Sequence, residues 1–282
     1  MSWVGIDTFM LGGDREVRRL GFGALRVTGA GCSGPPRDPA AAKRLLRRAV
    51  ELGVNLIDTA DSYGPEVSEM LIAEALHPYP ADLVIATKGG LLPGPDGRPR
   101  DARPQQLRSC CEASLRRLKL ERIDLYQLHS PDPEVPLEES VGALSRLQEE
   151  GKIHHVGLSN VSAAELTRAR RVATVACVQN RYSLGDRKSE RVLAACERDR
   201  LGFIPWFPLR EGRLTRRGGV LGVVARRHGA TPAQVALAWL LAHSHVMLPI
   251  PGTSSVAHLE ENVAAGALEL GGDELRWLEA VA

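Results

Sequence analysis

No stretch of this 282-residue chain is apolar for long enough to cross a bilayer. The longest unbroken run, Val235 to Ala242, falls far short of the ~20 residues a span requires. The opening segment, Met1 to Met10, has neither a basic stretch nor an apolar one behind it, so no secretory leader is expected and a cytoplasmic location is. An excess of charge of one sign is also missing: 36 Lys and Arg stand against 34 Asp and Glu, a net charge of +2. No broad basic field exists to hold nucleic acid or an anionic membrane, and neither partner is expected. Cysteine is sparse and unpaired in pattern. Cys32, Cys110, Cys111, Cys177 and Cys196 form no Cys-x-x-Cys spacing, which speaks against a disulfide framework or a zinc site. Aromatic residues make up only 4% of the chain, too few to wall a deep cage around a large planar molecule.

What is present is ordinary globular composition, 44% hydrophobic and 25% charged, with no Pro/Ser/Gly linker that would divide it. One domain over residues 1–282 is the expectation, with a long Gly/Pro-rich loop at Gly89–Pro104. Thr8–Leu11, Gly12-Gly13-Asp14 and Glu16–Leu20 read as a hairpin too short to enclose a crossover helix, a cap on a larger body. Beyond it, aliphatic and β-branched runs near Arg19–Gly23, Val54–Asp58, Leu83–Thr87, Ile123–Leu128, His155–Ser159, Val175–Gln179, Gly202–Trp206 and Met247–Ile250 predict eight strands. Helical segments alternate with them, and Thr231-Pro232 is a clear helix start. Two further helices, near Val256–Ala265 and Asp273–Val281, follow the eighth strand. Eight βα units match an α/β (β/α)8 TIM barrel with an N-terminal hairpin cap and extra C-terminal helices. A doubly wound sheet would show Gly-x-Gly-x-x-Gly after its first strand, and Gly21-Phe22-Gly23 lacks the third glycine.

In such a barrel the chemistry sits where strands end. The second predicted strand ends in Asp58 with Tyr63 shortly after it, the third in Lys88, the fourth in His129 and the fifth in Ser159-Asn160. These residue types suit proton delivery. A phenol titrates near ~10 in water, and a neighbouring ammonium such as that of Lys88 stabilises the phenolate. Tyr63 then serves as a general acid, Asp58 holds the ammonium, and His129 orients a substrate carbonyl oxygen.

Asp58, Tyr63, Lys88 and His129 in this order resemble the tetrad of the aldo-keto reductase superfamily. The resemblance extends through Gly21-Phe22-Gly23, Ile57-Asp58-Thr59-Ala60-x-x-Tyr63-Gly64, Ala86-Thr87-Lys88, Leu125–His129, Gly157–Asn160, Val178-Gln179-Asn180 and Ile250–Thr253, covering Gly21 to Asn262. It implies hydride transfer from a nicotinamide cofactor to a small-molecule carbonyl compound, on a barrel without a Rossmann domain. By the same resemblance, Ser159, Asn160 and Gln179 meet the nicotinamide carboxamide and Trp206 stacks on its ring, as suits a flat, partly charged group.

The resemblance assigns pyrophosphate cover to the loop from Phe207, with Leu209, Arg210, Gly212 and Arg213, and further cofactor contacts to Gly23, Ala24 and Ile250. The segment Gly252, Thr253, Ser254, His258, Glu261 and Asn262 corresponds to the adenosine and 2′-phosphate site. That segment carries no Lys or Arg, although a helix N-terminus with hydroxyls still suits phosphate. NADPH is the expected cofactor, with NADH as the alternative. Leu25, Arg26, Leu91 and Ser130 are the expected substrate-pocket residues, and a small or medium aldehyde or ketone is the expected substrate class. A monomer is expected.

Other readings of the same residues differ. A nucleotide-sensing regulatory module on the same barrel would bind cofactor with little turnover, and a metal-assisted hydrolase would need more His and carboxylate ligands at strand ends than are found. His154 and His155 open a strand away from the catalytic end and read as surface and packing residues without a metal. Cys177 reads as a small core hydrophobe, and Trp239 and Trp277 as packing residues on helices.

Overall fold

A computed structural model describes residues 7–92, 99–209 and 219–280. Strands β1 (Thr8–Leu11) and β2 (Arg15–Arg18) pair antiparallel, with Leu11 opposite Arg15. The turn between them needs glycine, since Gly12 and Gly13 sit at φ +63° and +90°. Leu11 and Val17 are fully buried and cluster with Cys177, Ile204 and Leu248, so the hairpin plugs the N-terminal end of the barrel lumen.

Seven parallel strands follow, each paired with its neighbour in sequence: β3 (Phe22–Gly23), β4 (Leu56–Asp58), β5 (Val84–Gly89), β6 (Ile123–Leu128), β7 (Ile153–Ser159), β8 (Val175–Arg181) and β9 (Gly202–Trp206). The expected eighth strand is present as a closing segment rather than a regular ladder. The N–H of Leu248 donates to the carbonyl of Phe203 at 2.8 Å on one side, and the N–H of Gly21 donates to the carbonyl of Pro249 at 2.9 Å on the other. Pro249 and Pro251 lack the donors that a central strand must supply, which limits the pairing to these few bonds. The first strand is likewise shorter than its sequence suggests. Arg19, ahead of it, is buried and donates to the carbonyls of Leu241, Ser244 and Met247, stitching the start of the barrel to its end.

The closure also rests on two glycines. Gly23 has φ −89° and ψ 115°, angles open to any residue, yet a Cβ there would lie 2.6 Å from the carbonyl oxygen of Ile250. A Cβ on Gly252 would lie 2.6 Å from the carbonyl oxygen of Gly23. Space, rather than backbone conformation, fixes both positions.

The covering helices are α1 (Pro39–Glu51), α2 (Val67–Leu76), α3 (Pro104–Leu118), α4 (Leu137–Glu149), α5 (Ala163–Ala169), α6 (Glu190–Asp199), α7 (Gly219–Arg227) and α8 (Pro232–His243). In α1, Ala42, Leu45, Leu46 and Ala49 recur at helical spacing and face the sheet. Each buried leucine of this kind stabilises the fold by about 1.5–3 kcal/mol. Thr231 caps α8, its hydroxyl accepting from the N–H of Gln234 while Gln234 returns the bond. Helices α9 (Val256–Ala264) and α10 (Gly272–Ala280) complete the described chain, with Leu278 buried in the core. Among the described residues no helix is long and apolar enough to cross a membrane.

Candidate active site

Because all the barrel strands run the same way, their C-terminal ends share one rim, and four titratable side chains meet there. Asp58 ends β4, Tyr63 lies on the loop to α2, Lys88 is near the end of β5, and His129 directly follows β6. The Nζ of Lys88 donates to Oδ1 of Asp58 at 2.6 Å, to the carbonyl of Thr59 at 2.9 Å and to the hydroxyl of Tyr63 at 3.3 Å. Lys88 is wholly buried. Burial opposes its charge, but the Asp58 carboxylate and the Tyr63 oxygen outweigh that opposition and hold its pKa above the usual lysine value.

The other oxygen of Asp58 is also engaged. Gln179 donates to Oδ2 at 2.8 Å and Gln127 at 3.1 Å. Gln127 did not stand out in the sequence as a site residue. Strand alternation identifies it, since Leu125, Gln127 and His129 fall on one face of β6 and its extension. The loop carrying Tyr63 is fixed from behind: the Thr59 hydroxyl donates to Oγ of Ser68, which donates to the carbonyl of Ala24.

His129 is buried, with its ring edge-on to Tyr63 at a centroid distance of 6.0 Å and its Nδ1 3.5 Å from the Ser62 hydroxyl. Asn160 stands at φ +60°, a left-handed conformation that asparagine tolerates better than most residues. Its Nδ2 donates to the carbonyl of His129 at 2.9 Å, and its Oδ1 accepts from the indole Nε1 of Trp206 at 3.0 Å. One asparagine thereby fixes the positions of the histidine backbone and the indole.

A cavity of about 680 Å³ opens over this group. Asp58, Tyr63 and His129 line it, with Gly23, Leu25 and Arg26 from the first strand end and Ser159, Asn160 and Gln179 from the fifth and sixth. Trp206, Phe207 and Leu209 come from the seventh, and Ile250, Gly252, Thr253, Ser254, His258, Glu261 and Asn262 from the closing segment and α9. Lys88 lies behind Asp58 and Tyr63 and does not line the cavity.

Three expected positions are not at the cavity. Ala24 is buried with its carbonyl turned to Ser68; Leu91 is held in a backbone bridge to Arg100; and Ser130 is buried with its hydroxyl 3.5 Å from the Pro131 carbonyl. Arg210, Gly212 and Arg213 lie outside the described residues. Pro208, Pro251 and Ala233 line the cavity without having been singled out. The two prolines sit inside segments the motifs marked, whereas Ala233, on α8, carried no signal.

The donor set suits a nicotinamide dinucleotide. Gln179 spends its N–H group on Asp58, so its Oε1 remains to accept from a carboxamide, and Ser159 adds a hydroxyl. Trp206 offers a ring face already bordered by Arg181, whose Cζ is 5.5 Å from the ring centroid. At α9 the cap is Ser255, whose hydroxyl accepts from the N–H of His258, while Thr253 accepts from the N–H of Ser255. Glu261 accepts from the Thr231 hydroxyl at 2.5 Å.

The aldo/keto reductase family model matches residues 19–282. An uncharacterized oxidoreductase of Schizosaccharomyces pombe is 48% identical over 259 residues, which are 92% of this chain and 84% of that one. Pyridoxine 4-dehydrogenase of Escherichia coli is 43% identical over 283 residues, 98% of each chain. An aldo/keto reductase of Klebsiella pneumoniae, solved in complex with NADP and acetate, superposes with a TM-score of 0.85 at 29% identity, covering 97% of this chain and 94% of the other. With a family model spanning nearly the whole barrel and relatives of this similarity along its length, the chain belongs to the aldo/keto reductase family, whose (β/α)8 barrel it adopts.

Proposed function

We propose that this protein reduces a small aldehyde to its alcohol with NADPH, and that a pyridoxal-type aromatic aldehyde is its substrate class. The observation that carries the reading is the buried Lys88 ammonium, placed between the Asp58 carboxylate and the Tyr63 hydroxyl at the floor of the cavity. The substrate class rests on the similarity to pyridoxine 4-dehydrogenase over nearly the full length of both chains.

When bound, the nicotinamide supplies the hydride that adds to the carbonyl carbon. Ser159, Asn160, Gln179 and Trp206 hold its ring end, and Thr253, Ser254 and the start of α9 hold the adenosine end. His129 orients the carbonyl oxygen towards Tyr63. As negative charge develops on that oxygen, the Tyr63 hydroxyl gives up its proton to form the alcohol, and the phenolate left behind is stabilised by the Lys88 ammonium at 3.3 Å. Asp58 keeps that ammonium charged and in place, and Gln127 and Gln179 keep Asp58 in place. Together these groups preorganise positive charge where the reaction creates negative charge.

The test is a titration of the purified protein with NADPH and with NADH, followed by the loss of reduced-nicotinamide absorbance with pyridoxal and a panel of other small aldehydes. Saturable NADPH binding with turnover of pyridoxal is expected. Binding without turnover on any aldehyde would favour a nucleotide-sensing module, and the absence of binding would remove the cofactor assignment.

A further inference from the structure

At the opposite end of the barrel, neighbouring residues of one strand direct their side chains to a common point. Successive side chains of a strand alternate between faces. Gly157 faces the lumen, where a Cβ would meet Cys177, Gln127 and Leu125, so His155 opens the same inward row and His154 starts on the outer face. Both belong to the first residues of β7 at the barrel's lower edge, and both imidazoles reach the turn of the β1–β2 hairpin. Nε2 of His154 is 2.8 Å from one oxygen of Asp14, and Nε2 of His155 is 2.7 Å from the other. The ring centroids are 4.2 Å apart.

The turn is shaped for this approach. A Cβ on Gly12 would fall 2.1 Å from the His155 ring, so only glycine lets the hairpin lie against that imidazole. His155 is almost wholly buried and Asp14 is half-exposed, which leaves one side of the cluster open to solvent. Arg15, the nearest cation on the hairpin, is drawn off to Asp124 at 2.9 Å. Among the described residues this is the one trio of His, Cys, Asp and Glu side chains with ligand atoms all within 4.8 Å of one another.

We propose that Asp14, His154 and His155 form a binding site for a first-row divalent cation of the zinc type, separate from the catalytic rim. Two imidazoles and one carboxylate are the donors such ions prefer, and three protein ligands leave the remaining positions to water. Each imidazole would accommodate the ion as the tautomer with its proton on Nδ1, which puts a lone pair on Nε2 in place of the N–H that faces the Asp14 carboxylate. The bound ion ties the hairpin to a strand about 140 residues away and so stabilises the lower end of the barrel.

Tag-free full-length protein, freed of metal with a chelator, is titrated with zinc chloride in a calorimeter and melted with and without zinc. One zinc per chain is expected, with a rise in melting temperature of about 5 °C when zinc exceeds its Kd a hundredfold. Asp14→Asn and His154→Gln change side chains that reach solvent and leave the buried His155 in place. Each variant should keep the wild-type circular dichroism spectrum yet weaken zinc binding at least tenfold. Cobalt should give a visible absorption band in the wild type that both variants lose. The proposal fails if the wild type shows no saturable zinc binding. It fails equally if both variants bind zinc as the wild type does, or if binding survives in them and disappears in Cys32→Ser.

Discussion

Gln179 donates from Nε2 to Oδ2 of Asp58 at 2.8 Å, so a side chain at the edge of the cavity also holds the carboxylate that positions Lys88. Shortening it removes a cavity contact and a support of the tetrad in one step. Gln179→Ala should therefore weaken NADPH binding and lower kcat together, each by about tenfold, the equivalent of one lost hydrogen bond to a charged or polar partner. Gln127→Ala removes support for Asp58 at a residue outside the cavity lining. It should lower kcat and leave the NADPH Kd unchanged, and fluorescence titration alongside steady-state kinetics separates the two.

Tyr63 carries the proton in the proposed reaction, and its ring is held by the edge contact with His129. Tyr63→Phe keeps that ring and removes the hydroxyl. Aldehyde reduction should fall about 10²–10⁴-fold, the range for loss of a general acid, while NADPH still binds as in the wild type. Loss of NADPH binding in this variant would count against the role given to Tyr63.

Gly23 tests the barrel closure. Its backbone angles suit alanine, so Gly23→Ala isolates the steric clash with the Ile250 carbonyl 2.6 Å from the new Cβ. Overpacking against backbone should destabilise the fold by about 1–3 kcal/mol, seen as a lower denaturant midpoint with an unchanged slope. An unchanged midpoint would mean that the closing segment yields freely at this point.

Much of this architecture was legible because local and global signals agreed. Proline at the first position of α8, with Thr231 as its cap, marks a helix start that the structure reproduces. The polar residues ending β4, β5 and β6 point to one rim once the βα alternation is recognised. The eighth strand was harder to read, because Pro249 and Pro251 sit in an aliphatic run that otherwise has strand character. The family resemblance puts Ala24, Leu91 and Ser130 at the cavity, through the loops that follow the strands. Yet a neighbour of a lining residue often turns its side chain or carbonyl elsewhere, as Ala24 does toward Ser68. The meeting of Asp14 with His154 and His155 was invisible, since a contact across about 140 residues leaves no periodicity to detect.

Asp61 provides a test of pH dependence separate from catalysis. It lies between Asp58 and Tyr63, is buried, and has one carboxylate oxygen without a hydrogen-bond partner. Burial first, and the nearby Glu69 charge second, push its pKa up to about 7. In the unfolded chain the same group titrates near ~3.9. Between those values the folded protein holds a proton that the unfolded chain has released. The contribution of Asp61 to stability is therefore full below pH ~4, declines as pH rises and is lost above ~7, a change on the order of 4 kcal/mol. Asp61→Asn carries no titrating group and should not share that decline. Denaturant unfolding of both proteins at pH 5 and pH 8 measures the difference, and the variant should gain on the wild type as pH rises. If the gap between the two proteins is the same at both pH values, Asp61 is already ionised in the fold at pH 5 and burial does not govern its titration.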